Sequence, residues 1–166
     1  MVKSKIVHFP EAFKREIEER ASLYELEFHG CAECVLIPFL ELWNVENEQL
    51  SRAASALTGG LGRMGKTCGA LLGGALVLGS VFGRSDPQEG VEGLIKAQKA
   101  TYDLVKKFET EFGSTECYSL TQCDLTNLDN FKNFIEGPKF KEVCCTIVPR
   151  TAGMVCDIIQ KGPIGW

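Results

Sequence analysis

Apolar positions recur at helical spacing through most of the chain, and the strict alternation of a half-buried strand is scarce. In the charged first segment Phe13, Ile17, Ala21, Tyr24 and Phe28 fall three or four residues apart. Pro10 suits the first turn of that helix, and His29-Gly30 interrupts it. A second helix is expected from about Cys31 to Trp43, kinked or divided by Pro38. Leu50, Ala53, Ala54 and Leu57 give a third amphipathic segment, closed by Gly59-Gly60. After a glycine-rich loop, an apolar helix is expected from about Thr67 to Phe82.

"GRSDPQEG" reads as a surface connection. Val91, Leu94, Ile95, Ala97, Tyr102, Val105, Phe108 and Phe112 then carry the helical period to Gly113, a suitable C-cap. Ser114 suits the cap of a short helix in "TECYSL", and "DLTNLDNF" holds Asp, Thr and Asn cap residues. "PKFKEVCCTIV" and "RTAGMVCDIIQ" read as two short helices separated by Pro149. No internal repeat, low-complexity tract or composition break divides the chain. The expectation is an all-α protein, a compact multi-helix single domain over residues 1–166 around a central Gly-rich apolar helix.

Composition narrows the function. A length of 166 residues is enough to bury a core, and 45% hydrophobic with 24% charged residues excludes a disordered tail. The net charge of −4 argues against a general nucleic-acid binder. The longest apolar run, "CGALLGGALVLGSVFG", has 16 residues and five glycines. It falls short of the roughly 20 residues that a spanning helix needs, so no membrane insertion is expected. "MVKSKIVHFPEAFKREIEER" shows no apolar stretch before a small-residue cleavage site, and a cytoplasmic location is the expectation. His8 and His29 have no partner at ligand spacing; His29 is close enough to Cys31 to tune it, or simply ends a helix in solvent.

"GLGRMGKTCG" at 60–69 satisfies the P-loop pattern through Gly60, Gly65, Lys66 and Thr67. A working P-loop is launched from a buried strand, and an acidic residue at the end of a second strand holds magnesium. Here "NEQLSRAASALTG" reads as an amphipathic helix, and no apolar strand ending in Asp follows. The nucleotide reading is set aside. Gly59, Gly60, Gly62 and Gly65 are instead expected to permit positive φ and tight packing. Gly69, Gly73, Gly74 and Gly79 give the next helix a small-residue face.

Eight cysteines without an export signal point to metal binding or thiol redox chemistry rather than to a disulfide scaffold. Cys31, Cys68 and Cys117 each follow a Gly or Ser/Thr break and open a predicted helix, in "HGC", "GKTC" and "GSTEC". Helix N-termini lower thiolate pKa, so convergence of the three would make a site for an anionic, thiolate-ligated centre. The competing reading is that they are small buried hydrophobes. Cys31 and Cys34 form a C-x-x-C, which suits metal binding or a dithiol but lacks a βαβ context. A tetrahedral zinc site usually combines two close pairs, whereas Cys68, Cys117, Cys123, Cys144, Cys145 and Cys156 are scattered. Cys123 and Cys156 are the most readily assigned to packing.

"CGALLG" at 68–73, "GCAECVL" at 30–36, "FGSTECYSLTQCDL" at 112–125 and "FKEVCCTIV" at 140–148 together resemble a known family. It is the family of redox-active proteins named for its pattern of a Cys, then C-G-A-x-x-G, then two further Cys. The glycine lead-in "GGLGRMG" is similar as well, and the resemblance spans about residues 20–156. It implies a small helical redox protein, related to the iron–sulfur domain of split-Soret cytochromes. By position the family cysteines fall on Cys31, Cys68, Cys117 and Cys144. The resemblance implies that these four hold an iron–sulfur cluster, most simply [2Fe–2S], for electron transfer or redox sensing with a redox partner protein. Cys34, Cys123 and Cys145 are then neighbours or alternative ligands. The absence of C-x-x-C-H gives no expectation of covalent haem. Two other functions stay open: a thiol–disulfide oxidoreductase using Cys31 and Cys34, and a structural zinc protein that binds partners. The glycine-faced helix and apolar "PIGW" fit a homodimer as well as an internal core.

Overall fold

Helices form the framework of residues 10–166, the residues that the computed structural model describes. They are α1 (Glu11–Phe28), α2 (Cys31–Leu42), α3 (Glu48–Ser55), the four-residue turn α4 (Thr58–Leu61), α5 (Gly69–Phe82), α6 (Glu92–Phe112), α7 (Cys117–Thr121), α8 (Leu128–Glu136) and α9 (Pro138–Lys161). No strand occurs among the described residues, only an isolated antiparallel bridge between Thr67 and Glu116. The all-α expectation holds. His8 lies outside the described residues. None of the described helices is long and apolar enough to cross a membrane.

Local chemistry sets most of the boundaries. α1 ends where His29 turns left-handed and its N–H bonds the Glu25 carbonyl at 3.1 Å. Asn47 caps α3 through its side-chain oxygen and the Leu50 N–H, 3.0 Å apart, and Asn127 caps α8 in the same way. Gly113, at φ 78°, ends α6 as its sequence position predicts. Neither proline divides its helix. Pro38 lies inside α2, and Pro149 lies inside a single helix α9 rather than between two short ones. Each removes one backbone hydrogen bond, but buried residues on both sides, Phe140 and Ile147 before Pro149, Val155 and Ile159 after it, hold the helix together.

α1 lies along α9 and α2, while α5 packs against α2, α6 and α9. The main core takes Ile17 from α1, Val35 and Phe39 from α2, Val77 from α5, Leu104 from α6 and Val155 from α9. The buried stripe of α1 is Ile17, Ala21 and Glu25; Phe28, expected on that face, is 67% exposed. A second, smaller cluster gathers Cys117, Leu125, Phe134 and Phe140.

The glycines of α5 fix how closely its neighbours approach. A Cβ at Gly73 would strike the Ala32 backbone of α2, whereas a Cβ at Gly79 would meet no atom within 4 Å. Gly73→Ala is therefore expected to force the α2–α5 crossing apart and destabilise the fold by about 1–3 kcal/mol. Gly79→Ala is expected to stabilise it by up to about 1 kcal/mol, a Tm rise of about 2–4 °C, through helix propensity alone. Thermal unfolding of the two variants checks the assignment, and equal shifts of one sign would contradict it.

Candidate redox site

The glycine loop brings two cysteine segments together. From residue 59 to 65 the backbone is almost wholly left-handed: Gly59, Gly60, Leu61, Gly62, Arg63 and Gly65 have φ between 59° and 70°. Leu61 and Arg63 adopt a conformation that side chains disfavour, so the surrounding contacts must hold it in place. The amides of Gly65 and Lys66 bond the carbonyls of Gly59 and Gly60, and those of Gly62, Arg63 and Met64 also bond backbone carbonyls. None of these amides is left to cradle a phosphate, and α3 and α4 rather than a strand lead into the loop. The loop instead holds the third cysteine segment. Cys117 N–H bonds Lys66 C=O at 2.7 Å, Tyr118 N–H bonds Gly65 C=O at 2.9 Å, and Cys68 N–H bonds Thr115 C=O at 2.8 Å. A Cβ at Gly60 would lie 2.7 Å from Cys117 Cβ and from the Lys66 backbone, so only glycine fits there.

Three cysteines stand at helix starts, as their sequence contexts predict. Cys31 opens α2, Cys68 is the N-cap of α5, and Cys117 opens α7. Cys144 projects from the second turn of α9 onward into the same region. The C-G-A-x-x-G element now has a physical reading. A Cβ on Gly69 would collide with Cys31 Sγ, so that sulfur rests in a notch beside Cys68. Ala70 is fully buried, and Gly73 admits α2.

Cys31, Cys68, Cys117 and Cys144 line one cavity of about 90 Å³, together with Glu25 and His29. It lies on the seam between the two packing clusters, with Ile147 and Val148 on the side of the main core and Phe134 and Phe140 on the other. Arg63 also lines it, its guanidinium 4.9 Å from the centre of the Phe131 ring. His29 caps α1 and stacks against Phe140 at 4.9 Å, so it is both a helix end and part of the cavity wall. Among the described residues, no three of His, Cys, Asp and Glu converge tightly enough to hold a single metal ion.

Burial dominates the electrostatics. It pushes the Cys68 thiol up to about 12 and Cys117 to about 11, and raises Cys31 and Cys144 well above the ordinary thiol range. Backbone amides act in the expected direction, Ala70 and Leu71 N–H at the start of α5 on Cys68 and Gly59 N–H of the glycine loop on Cys31, each favouring the thiolate. They do not prevail. The expectation of low-pKa thiols in an electropositive pocket is thus corrected: the lost hydration of a thiolate outweighs one or two amide dipoles. Cys34 is buried against the Glu25 carboxyl and does not line the cavity. Cys145 and Cys123 pack on the small cluster, Cys123 with Sγ 3.8 Å from the Asn130 carbonyl oxygen. Cys156 is packed in the main core.

Glu25 is the residue that sequence reasoning missed. It is 1% exposed, its Oε2 has no hydrogen-bond partner, and burial pushes its carboxyl up to about 8. Its signal was the spacing Ile17, Ala21, Glu25, in which an acid takes the next core position of an apolar stripe. A raised folded pKa makes the folded state hold a proton that the unfolded chain releases near pH 4.3. For the metal-free protein Glu25 therefore leaves stability intact below that pH and erodes it as pH rises to about 8. Glu25→Gln is expected to match the parent near pH 4 and to exceed it in Tm near pH 8, whereas parallel Tm–pH curves would contradict the assignment.

No curated protein and no solved structure matches the chain. A family model does, over residues 29–158, and its description is "Putative redox-active protein (C_GCAxxG_C_C)". With its cysteine pattern covered from Cys31 to Cys144, the chain belongs to that family of redox-active proteins.

Proposed function

We propose that Cys31, Cys68, Cys117 and Cys144 hold an iron–sulfur cluster, most simply [2Fe–2S], which the protein uses for electron transfer or redox sensing with a redox partner protein. The observation that supports this reading is that Cys31 of α2, Cys68 at the start of α5, Cys117 of α7 and Cys144 of α9 all line one mostly apolar cavity. Membership of a redox-active family supports it. A bound cluster would supply one-electron chemistry.

The donor set favours a cluster over the alternatives. A structural zinc ion needs four donors about 2.3 Å from a single point, and the described donors do not converge in that way. Cysteines that bind a cluster are divided among separate irons, so the four need not converge on a single point. A dithiol at Cys31 and Cys34 would need a thiolate near neutral pH, yet burial raises both thiols and Cys34 faces Glu25. Cations in the cavity would draw the protons from these thiols and neutralise the buried charge. The amides of Gly59, Ala70 and Leu71 are placed to donate to Cys31 and Cys68, and such hydrogen bonds to sulfur raise a reduction potential. Phe134 and Phe140 exclude water from the same space. Reduced thiols in this number suit a reducing, cytoplasmic setting.

Anaerobically purified protein is expected to be coloured, to contain iron and acid-labile sulfide, and to bleach with dithionite. Cys68→Ser is expected to lose most of the iron, while Cys156→Ala, a change in the core away from the cavity, keeps it. A colourless protein with one zinc, or equal iron in both variants, would refute the reading. Gly69→Ala provides an independent check, because its methyl group displaces Cys31 Sγ without removing any donor. Iron content in that variant is expected to fall severalfold while helical circular dichroism persists.

A further inference from the structure

The glycine loop at 59–65 has an inner and an outer side. Inward, Gly59 and Arg63 line the cavity with the four thiols. Outward, Leu61 is 48% exposed and Met64 61%, and Tyr118, docked on Gly65, is 52% exposed. None of these three packs on either hydrophobic cluster. The backbone makes them neighbours: Met64 N–H bonds Leu61 C=O at 3.2 Å, and Tyr118 N–H bonds Gly65 C=O at 2.9 Å. Leu61 is the anomaly. Its φ of 64° suits glycine, and Gly59, Gly60, Gly62 and Gly65 around it are glycines with similar φ. A leucine there strains the backbone and returns little packing to the fold, so its side chain serves a contact outside it. Charge indicates the kind of contact. The segments 59–67 and 115–121 carry two cations, Arg63 and Lys66, against one anion, Glu116, on a chain whose net charge is −4. Among the described residues neither cation has an acidic partner, and Lys66 is exposed beside Met64.

We infer that this outer face, formed by Leu61, Met64, Lys66 and Tyr118, is where the redox partner docks, and that the partner is a redox protein presenting an acidic rim around an apolar contact. The inference rests on the cluster reading and deepens it by naming the chemistry of the partner. The path to the centre is short, because Tyr118 directly follows Cys117, which lines the cavity. One electron crosses between the two centres, oxidising one and reducing the other, and no bond forms or breaks. Opposite charges across the face speed the encounter and lose that effect in salt, whereas the apolar contact does not depend on it.

The test follows, by stopped flow, reduction of the oxidised, iron-bearing protein by a reduced acidic ferredoxin. Lys66→Glu is expected to lower the second-order rate constant at least about fivefold at low ionic strength, with the difference shrinking at high salt. Leu61→Gly is expected to lower it severalfold at both, without a fall in Tm, since glycine relieves the strain. Val91→Ser, an equally exposed change at the start of α6, which gives no residue to the cavity wall, is expected to leave the rate unchanged. An iron-bearing parent that takes no electron from the ferredoxin, or Lys66→Glu and Leu61→Gly variants that match the parent, overturns the docking face and leaves the cluster reading standing. A fall in the Tm of Leu61→Gly gives that side chain to the fold and overturns the face as well. So does a parent dimer that Leu61→Gly dissociates, or binding to phosphatidylserine vesicles that Lys66→Glu abolishes, since a second copy or a membrane then covers the patch. A parent that purifies without iron or sulfide overturns both readings.

Discussion

The arrangement depends on two places where backbone and side chain come closer than any Cβ would allow. Cys31 Sγ fills the space that a side chain on residue 69 would occupy, and Cys117 Cβ lies over Gly60 in the same manner. These contacts join three segments far apart in sequence. Their strength is not in the contacts themselves but in the burial that surrounds them: Ala70, Val35 and Ala32 are wholly buried, so the α2–α5 crossing cannot drift without opening the main core. The left-handed loop at 59–65 adds the second constraint, because it positions the carbonyls of Gly65 and of the following Lys66, which receive the amides of residues 118 and 117. Positive φ at Leu61 and Arg63 is tolerated in return for that docking.

Two opposing effects act on the thiols. Cys31 and Cys68 meet backbone amides and Cys117 meets the Thr121 hydroxyl, and each of the three is removed from water. Removal from water wins, since the thiols of all four cavity cysteines are raised. Thiols held protonated in this way are weak nucleophiles, and a bound positive charge would reverse the balance that keeps the protons on sulfur. The same logic extends to Glu25, whose carboxyl burial pushes up, with the nearby Glu33 acting in the same direction.

The sequence made the helix starts at Cys31, Cys68 and Cys117 legible because Gly, Ser and Thr breaks are local signals, read without knowing what packs against what. It also revealed that "GLGRMGKT" lacks a strand before it, and the hydrogen bonds of residues 59–68 bear that out. Pro149 misled because proline propensity is local while the burial of Ile147, Val155 and Ile159 is tertiary. The low-pKa expectation failed for a related reason: the sign of a pKa shift depends on depth, which helix position does not report. Glu25 was hidden by the same gap, since one acid in a charged helix looks solvated until α2 and α9 cover it.

Where the cavity sits bears on how the site and the fold depend on each other. The main core has contributions from α1, α2, α5, α6 and α9, whereas the small cluster rests on four buried residues, Cys117, Leu125, Phe134 and Phe140. A cluster of that size buries too little apolar area to order its segment unaided. What joins it to the rest is Cys117 on the glycine loop, the α8–α9 packing and the wall that Cys144 shares with Cys31 and Cys68. Under the proposed function, cations on that seam would tie both clusters together, so binding free energy would appear as order in residues 117–136. The redox centre would then also be the joint of the fold, and gain or loss of the centre would be felt first in α7 and α8, which bury little besides Cys117, Thr121 and Phe134.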